Sequence, residues 1–262
     1  MAELRFIDTH CHLIHGRLRD QVDDVLARAR DAGVVACLCA VGDLTEARAA
    51  LGLAGKHANV RAMAGVHPHD AKDVPGDYLD RLERLAAHER NVAIGEIGLD
   101  YHYEYSPRAE QQRVFAEQLA LARRLGKPVV IHTREAFEDT LAILAESGAA
   151  GEDLVFHSFT GEAGPTRRVL DLGAMVSYSG IVTFKRTAGL RDTAAIVPDD
   201  KLLVETDAPF LSPEPVRKMR TNEPANVAHV ARCLAEVRGV TAESLAERTT
   251  ANAVRHFGIE AI

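Results

Sequence analysis

Eight short runs of apolar and β-branched residues recur along the 262-residue sequence, and a segment with helical periodicity follows most of them. After the first run, Val22, Val25, Leu26 and Ala29 share one helical stripe, which stops at Gly33. Alternating strands and helices predict an α/β fold with a parallel sheet, and eight strands is the number that closes into a (β/α)8 TIM barrel. We place the strands near 4–12, 34–41, 60–67, 91–97, 127–132, 153–158, 174–179 and 201–206.

An open, doubly wound sheet is the alternative arrangement of the same elements. That fold normally carries a glycine-rich phosphate loop after its first strand, whereas this chain has His10-Cys11-His12 there. The sequence contains no linker, low-complexity segment or internal repeat. We therefore predict one (β/α)8-barrel domain over residues 1–262, a length close to the roughly 250 residues typical of such barrels.

Two helix starts can be predicted from capping residues. Ser106 followed by Pro107 has the pattern of an N-cap residue and a first helical position, which predicts a helix from there to about Leu125. Thr241 is predicted to cap the last long helix.

Composition limits the location and the partners of the protein. No apolar stretch approaches the roughly 18 residues that indicate a membrane span, and strand-like sequence begins at Leu4, which leaves no room for a signal peptide. We therefore predict a cytoplasmic protein with no membrane partner and no obligate protein partner. The four cysteines (11, 37, 39 and 233) are predicted to be reduced and structural. The formal net charge of −7 argues against a broadly basic nucleic-acid binder.

Metal-binding residue types stand at the ends of most of the predicted strands. Because active sites of α/β barrels lie at the carboxyl ends of the strands, these positions are the informative ones. The period of two along a strand puts Asp8, His10 and His12 on one face of the first strand. Each residue alone is as well explained by a structural hydrogen bond, but their repeated coincidence favours a shared metal centre. The strand-end residues are His10, His12, His67, Glu96, His132, His157, Glu205 and Asp207.

The order of these motifs resembles the TatD family of metal-dependent deoxyribonucleases, which have a barrel of the metallo-dependent hydrolase type. The resemblance is carried by Phe6-Ile-Asp-Thr-His-Cys-His-Leu13, Gly65-Val-His-Pro-His69, Ile94-Gly-Glu-Ile-Gly-Leu-Asp-Tyr101, Pro128-Val-Val-Ile-His-Thr-Arg-Glu-Ala136, Phe156-His-Ser-Phe-Thr-Gly161, Leu203-Val-Glu-Thr-Asp-Ala-Pro-Phe210 and Asn222-Glu-Pro224. It runs nearly from end to end of the chain and implies a deoxyribonuclease that acts on ester bonds.

The resemblance also implies the roles of the strand-end residues. One metal ion would be held by His10, His12 and Asp207, a second by His132 and His157, and Glu96 would bridge the two. Asp207 is the predicted general base, and Glu96 shares the catalytic role through the metals. Asp8 and Glu205 are predicted to orient ligand histidines.

Substrate contacts are predicted for two side chains that follow strands and for a basic loop after the last strand. His67 and Arg134 follow strands and are placed to bind phosphate oxygens. Arg217 and Arg220, with Lys218, lie in a proline-punctuated basic loop after the last strand and are predicted to grip a nucleic-acid strand, although a solvated surface loop would have the same composition. The tyrosines at 101, 103 and 105 either stack on bases or simply pack within their loop.

The main hypothesis is therefore a phosphodiesterase that shortens single-stranded DNA with two divalent metal ions, Mg, Mn or Zn. One alternative is a barrel of this type that hydrolyses another ester, a lactone or an aminoacyl ester. A second alternative is a non-catalytic binding protein, which predicts the loss of a ligand; every ligand implied by the resemblance is present.

Overall fold

Within residues 4–259, which this computed structural model describes, the chain forms eight parallel strands in one sheet, and their order in the sheet is their order in the sequence. Nine α-helices fill the intervening and C-terminal segments of the same range. This is the topology of a (β/α)8 barrel, so the predicted fold class is confirmed. The strands are β1 (Phe6–Cys11), β2 (Val34–Cys39), β3 (Val60–Ala64), β4 (Asn91–Asp100), β5 (Val129–Arg134), β6 (Leu154–Phe156), β7 (Met175–Tyr178) and β8 (Leu202–Val204).

The helices follow the strands in the expected alternation. They are α1 (Val22–Asp31), α2 (Leu44–Lys56), α3 (Tyr78–Ala86), α4 (Arg108–Leu125), α5 (Phe137–Ser147), α6 (Ala163–Asp171), α7 (Ala188–Ile196), α8 (Val227–Arg238) and α9 (Ala242–Phe257). Across residues 4–259, no helix combines the length and the apolar character needed to cross a membrane.

The chain divides into two compact units. The first unit comprises the described residues up to Cys39 and those from His157 onward, and it contains β1, β2, β7 and β8. The second unit is Ala40–Phe156 and contains β3 to β6. In the second unit all ten residues of β4 are buried, as expected for a parallel strand covered on both faces.

The first unit holds the junction between the first and last strands. Cys11 at the end of β1 pairs with Ala208, just beyond β8. The backbone N–H of His12 donates to the carbonyl of Ala208 (2.6 Å), and that of Asp207 donates to the carbonyl of His10 (2.9 Å). Backbone hydrogen bonds therefore continue past the end of β8 and join the two chain segments that carry the predicted ligands.

Both predicted helix caps can be compared with the structure. Thr241 caps α9, its side chain accepting from the N–H of Ser244. The prediction for Ser106 was wrong: α4 begins at Arg108, and Pro107 occupies the N-cap position. Ser106 is fully buried, and its hydroxyl donates to the carbonyl of His69 (2.7 Å). The hydroxyl that the local sequence predicted as a helix cap therefore makes a tertiary contact instead.

The helical stripe predicted after the first strand is present in α1, except that Val22 is only partly buried. Val25, Leu26 and Ala29 form the buried stripe of α1. Gly33 has φ +88°, and a β-carbon there would lie 2.2 Å from the carbonyl oxygen of Leu4. All four cysteines are free thiols, three of them buried.

Gly33→Ala tests the turn into β2. A left-handed conformation costs a non-glycine residue about 1–2 kcal/mol, and the contact with the Leu4 carbonyl adds to that cost because a backbone atom cannot rotate away. We expect a loss of at least about 2 kcal/mol in the free energy of unfolding, measured by urea denaturation. The control is Gly52→Ala in the exposed part of α2, where nothing lies within 4 Å of the added carbon; it should raise stability by up to about 1 kcal/mol. Equal effects of the two substitutions would contradict this account.

Candidate metal centre

Two groups of histidines and carboxylates lie at the carboxyl ends of the strands, one in each compact unit. The first cluster, in the unit that contains β1 and β8, consists of His10, His12, His157, Glu205 and Asp207. The second cluster, in the unit that contains β3 to β6, consists of His67, Glu96, Asp100 and His132.

In the first cluster, the junction of β1 with the segment after β8 brings Asp207 to the two histidines of the first strand. Oδ1 of Asp207 lies 3.3 Å from Nε2 of His12 and 3.8 Å from Nε2 of His10. His10 is fully buried, while His12 and Asp207 retain some exposure. The sequence prediction that these three side chains belong to one site is consistent with this geometry.

Asp207 is held in an unusual backbone conformation. Its φ of +55° lies in the left-handed region, which non-glycine residues rarely occupy. Such conformations persist where the surroundings over-determine them and are frequent at functional sites. Here the hydrogen bond from the N–H of Asp207 to His10 holds the backbone while the carboxylate faces His12.

The charge state of Asp207 follows from its neighbours. Burial raises the pKa of its carboxyl group, but the hydrogen bond with His12 and the charges of His12, His10 and His157 outweigh burial, so the pKa is lowered overall. Asp207 is therefore a carboxylate at neutral pH, the form that binds cations and accepts protons.

His157 and Glu205 complete the first cluster. The ring of His157 stacks on that of His10 with 4.0 Å between centroids. Oε1 of the fully buried Glu205 lies 3.2 Å from Nδ1 of His157 and accepts from the N–H of Ser158 (2.8 Å). Ligand atoms of His10, His157 and Glu205 all lie within 4.8 Å of one another. Glu205 thus contacts His157, one of the candidate ligand histidines, and its role in orienting a ligand stays a prediction.

Asp8 forms hydrogen bonds with residues next to the first cluster. Its carboxyl oxygens accept from the N–H of Thr206 (2.9 Å), from the hydroxyl of Thr206 (2.5 Å) and from the backbone N–H of His10 (3.3 Å). Burial raises the pKa of Asp8 to about 8, although the hydrogen bonds from Thr206 lower it. These contacts join the ends of β1 and β8 through main-chain groups.

The second cluster is built on β4 and β5 and on the segment that follows β3. Oε1 of Glu96 lies 2.8 Å from Nδ1 of His132 and 3.5 Å from Nε2 of His67. Ligand atoms of these three residues lie within 4.8 Å of one another, and Glu96 is almost fully buried. Gly98, opposite His132 in the register, permits the close approach, since a β-carbon there would lie 1.9 Å from the His132 carbonyl oxygen.

His67 lies within the second cluster. The sequence assigns it to phosphate binding, and that role stays a prediction. Burial lowers its pKa to about 4, so the imidazole is neutral at physiological pH. A neutral imidazole beside a buried carboxylate has the donor atom that a divalent metal requires, so His67 is also a candidate ligand.

Asp100 is a further candidate site residue, to which the sequence analysis assigned no role. Its Oδ2 atom lies 3.1 Å from Nε2 of His132 and 2.9 Å from Nε2 of His69, and the side chain is almost completely buried. Burial raises the pKa of Asp100, but hydrogen bonds from His132, Tyr103 and His69 outweigh it, and the pKa lies well below its usual range. The period of two along a strand could have indicated this residue, since positions 96, 98 and 100 share a face of β4. The predicted strand ended at 97 and therefore did not include Asp100.

The basic residues predicted to touch substrate are exposed. Arg134 lies with its guanidinium 4.7 Å from the ring centroid of Tyr103. The guanidinium of Arg217 lies 4.0 Å from the centroid of Phe184, and Arg220 is exposed in the same loop. Their contacts with substrate stay predictions.

The chemistry of both clusters suits a divalent cation. Each combines imidazole nitrogens with carboxylate oxygens that are largely withdrawn from water, and mixed donors of this kind bind zinc and other first-row metals well. In each cluster a carboxylate contacts a histidine ring, the arrangement that commonly orients metal-ligating imidazoles. A barrel with such groups at its strand ends defines a candidate metal-dependent hydrolase.

Comparison with known proteins identifies the family. The model of the TatD related DNase family matches residues 7–258. The chain is 45% identical over 258 residues to the uncharacterized metal-dependent hydrolase YcfH of Escherichia coli K12, covering 97% of this chain and 96% of that protein. It is 37% identical over 242 residues to the 3'-5' ssDNA/RNA exonuclease TatD of Klebsiella pneumoniae, covering 91% and 92% of the two chains.

A solved structure shows the same fold. The crystal structure of YjjV, a TatD homologue from Escherichia coli K12, superposes with a TM-score of 0.92 and 29% identity, covering 98% of this chain and 99% of the other. The chain belongs to the TatD family and is a metal-dependent hydrolase.

Asp100→Asn tests the contribution of the missed carboxylate. Removal of the negative charge beside His132 should weaken metal binding by about 10- to 100-fold, the usual effect of removing a group that orients a ligand. Titration calorimetry of metal-stripped protein with Mn²⁺ would measure it. Asp139→Asn is the control, because that carboxylate accepts from Tyr101 and Gln112, close in the same unit. The assignment fails if Asp100→Asn binds Mn²⁺ as tightly as the control does.

Proposed function

We propose that the chain is a nuclease that hydrolyses phosphodiester bonds in single-stranded DNA at a dinuclear metal centre. The observation that carries this proposal is the grouping of buried and partly buried histidine and carboxylate donors, within 4.8 Å of one another in each group, on the strands of a TatD-family chain. Family members of this length, including one named as an exonuclease, align with the chain almost from end to end.

The proposed centre draws on both clusters. His10, His12 and Asp207 would hold one metal ion, His132 and His157 a second, and Glu96 would bridge them, as the family resemblance implies. All six lie in the C-terminal half of a strand of the sheet or follow a strand, and carboxyl ends of barrel strands are where such sites form. On this proposal residues 1–262 act as one catalytic domain, whose first three and last three residues lie outside the described range.

The chemistry divides between the metals and the protein. Two bound divalent cations would neutralise phosphate oxygens and lower the pKa of water. Asp207, a carboxylate at neutral pH, would accept the proton of the attacking water as general base. Glu205 and Asp100 would hold the rings of His157 and His132 in position throughout the reaction.

The metal identity and the cellular setting belong to the same proposal. Donor sets that mix imidazole and carboxylate accept Mg, Mn or Zn, with nitrogen-rich sites favouring zinc and oxygen-rich sites favouring magnesium or manganese. We place the enzyme in the cytoplasm, with DNA as its macromolecular partner. Nucleic acid as substrate is supported by the relative that is named as a 3'-5' ssDNA/RNA exonuclease.

A substrate panel tests the proposal together with the variant Asp207→Asn. Protein loaded with Mn²⁺ or Mg²⁺ should shorten end-labelled single-stranded DNA, while a lactone and an aminoacyl ester remain intact. Asparagine cannot accept the proton of the water, so Asp207→Asn should lower kcat by about 100- to 10,000-fold, the range of general-base contributions.

Two results would overturn parts of this assignment. Rapid opening of the lactone or the aminoacyl ester with intact DNA would replace the nuclease by another hydrolase of the same family. Turnover of Asp207→Asn at the wild-type rate would remove Asp207 from the role of general base.

The basic loop after β8 generates a separate prediction. Reversing the charges of Arg217, Lys218 and Arg220 to glutamate should raise KM for a single-stranded oligonucleotide by about tenfold. The slope of log KM against log salt should also become shallower by roughly 0.7 for each phosphate that the loop no longer neutralises. Steady-state kinetics at several salt concentrations measures both quantities.

A control triple variant separates local binding by the loop from the effect of net charge. Arg48, Lys56 and Arg167 are exposed on α2 and α6, and their reversal to glutamate changes the total charge equally. If both triple variants change KM equally, the loop affects substrate binding only through the net charge of the protein.

A further inference from the structure

The loop between β4 and α4 exposes two tyrosine rings that stack on each other. The centroids of Tyr103 and Tyr105 are 5.3 Å apart and their planes differ by 18°. Tyr103 is 46% exposed and Tyr105 is 57% exposed, so the pair is not packed into the protein. Between them Glu104 has φ +47°, in the left-handed region that non-glycine residues rarely occupy. The loop thus presents aromatic surface to solvent.

The loop backbone is fixed by buried polar groups. Oδ1 of Asp100 accepts from the N–H of Tyr103 (2.9 Å) at the start of the loop. The fully buried side chain of Gln111 donates to the carbonyls of Asp100 (3.0 Å) and Ser106 (2.8 Å), one at each end of the loop. Because the backbone is already ordered, little additional conformational entropy is lost when the rings bind a partner.

Charged and aromatic groups flank the ring pair. The guanidinium of Arg134 lies 4.7 Å from the ring centroid of Tyr103, and the ring of His69 meets that of Tyr105 edge-on at 4.7 Å. Glu104, the acidic residue of the turn, is paired with Arg108. Positive charge next to exposed aromatic side chains is a combination that binds unpaired nucleotides, since bases stack on aromatic rings while the cation attracts the phosphates.

The ring pair is tied to the second cluster by one carboxylate. Asp100 holds the loop through Oδ1 and contacts His132 through Oδ2 at 3.1 Å. His69, which meets Tyr105, contacts the same Oδ2 atom at 2.9 Å. A nucleotide stacked on the tyrosines would therefore be positioned with respect to His132 by a rigid connection.

We propose that Tyr103, Tyr105 and Arg134 form a base-stacking platform that holds unpaired nucleotides of the substrate beside the second cluster. The proposal rests on the proposed nuclease function and adds the element that selects single strands. In a duplex the base faces are covered by neighbouring pairs, so only unpaired bases can occupy the platform. Stacking is tolerant of base identity, so the platform selects strandedness and not sequence.

Binding measurements test the platform without relying on turnover. In the metal-loaded Asp207→Asn protein, fluorescence anisotropy would give Kd for a labelled oligothymidylate and for an abasic phosphodiester strand of the same length. We expect the oligothymidylate to bind at least about tenfold more tightly, a factor that corresponds to about 1.4 kcal/mol. Adding Tyr103→Leu and Tyr105→Leu should abolish this preference, whereas Tyr103→Phe and Tyr105→Phe, which keep the rings, should retain it.

The outcomes separate the platform from the nuclease. A leucine variant that keeps the full preference for bases overturns the platform, and so does one that loses affinity equally for both strands. Tyr105→Leu alone, at the more exposed ring, repeats the test if the double variant does not fold. Loss of the preference together with intact DNA in the wild-type assay would support the platform and reject the nuclease. If the wild-type protein cleaves single-stranded DNA but the protein binds the oligothymidylate and the abasic strand equally well, the nuclease is supported and the platform is rejected.

Discussion

Backbone hydrogen bonds between the end of β1 and the segment after β8 are the constraint on which the first cluster depends. The carbonyl of His10 accepts from Asp207, and the carbonyl of Ala208 accepts from His12. Because residues of the cluster themselves make these bonds, the pairing of the two segments also brings the side chains of the cluster together. Asp8 reinforces it by accepting from Thr206 through both the main chain and the hydroxyl. A change that opened this junction would separate Asp207 from His10 and His12 even if every side chain were retained.

Each of the two clusters contains a buried carboxylate in contact with a histidine ring. Glu205 contacts His157 in one unit, and Asp100 contacts His132 in the other. Each carboxylate also accepts a hydrogen bond from the backbone: Glu205 from the N–H of Ser158, and Asp100 from the N–H of Tyr103. Burying a charge is costly unless it is fully hydrogen-bonded, and these shared hydrogen bonds reduce that cost. They also couple the ring positions to the loops that follow β4 and β6.

The errors of the sequence analysis have a common physical origin. Each of the eight predicted strands overlaps an observed one, but their ends differ by up to three residues. The length of β4 depends on pairing with β5, which continues to Asp100 opposite Arg134. Ser106 has the local pattern of a helix cap, yet its hydroxyl donates to His69, far away in the sequence. In both cases a partner from another element decided a feature that local residues left open. The cap at Thr241 has no such competitor among the described residues and was predicted correctly.

The sequence by itself determined the alternation of eight strands with helices, the family, and the residue types that stand at each strand end. These follow from local periodicity and from motifs whose order is visible along the chain. Only the tertiary structure decided which carboxylate meets which histidine, as with His157 and Glu205, which are 48 residues apart. It also decided that Tyr103 and Tyr105 stack and remain exposed. Such pairings depend on the register between strands and on the side-chain directions that packing allows, and neither quantity is encoded within any single segment.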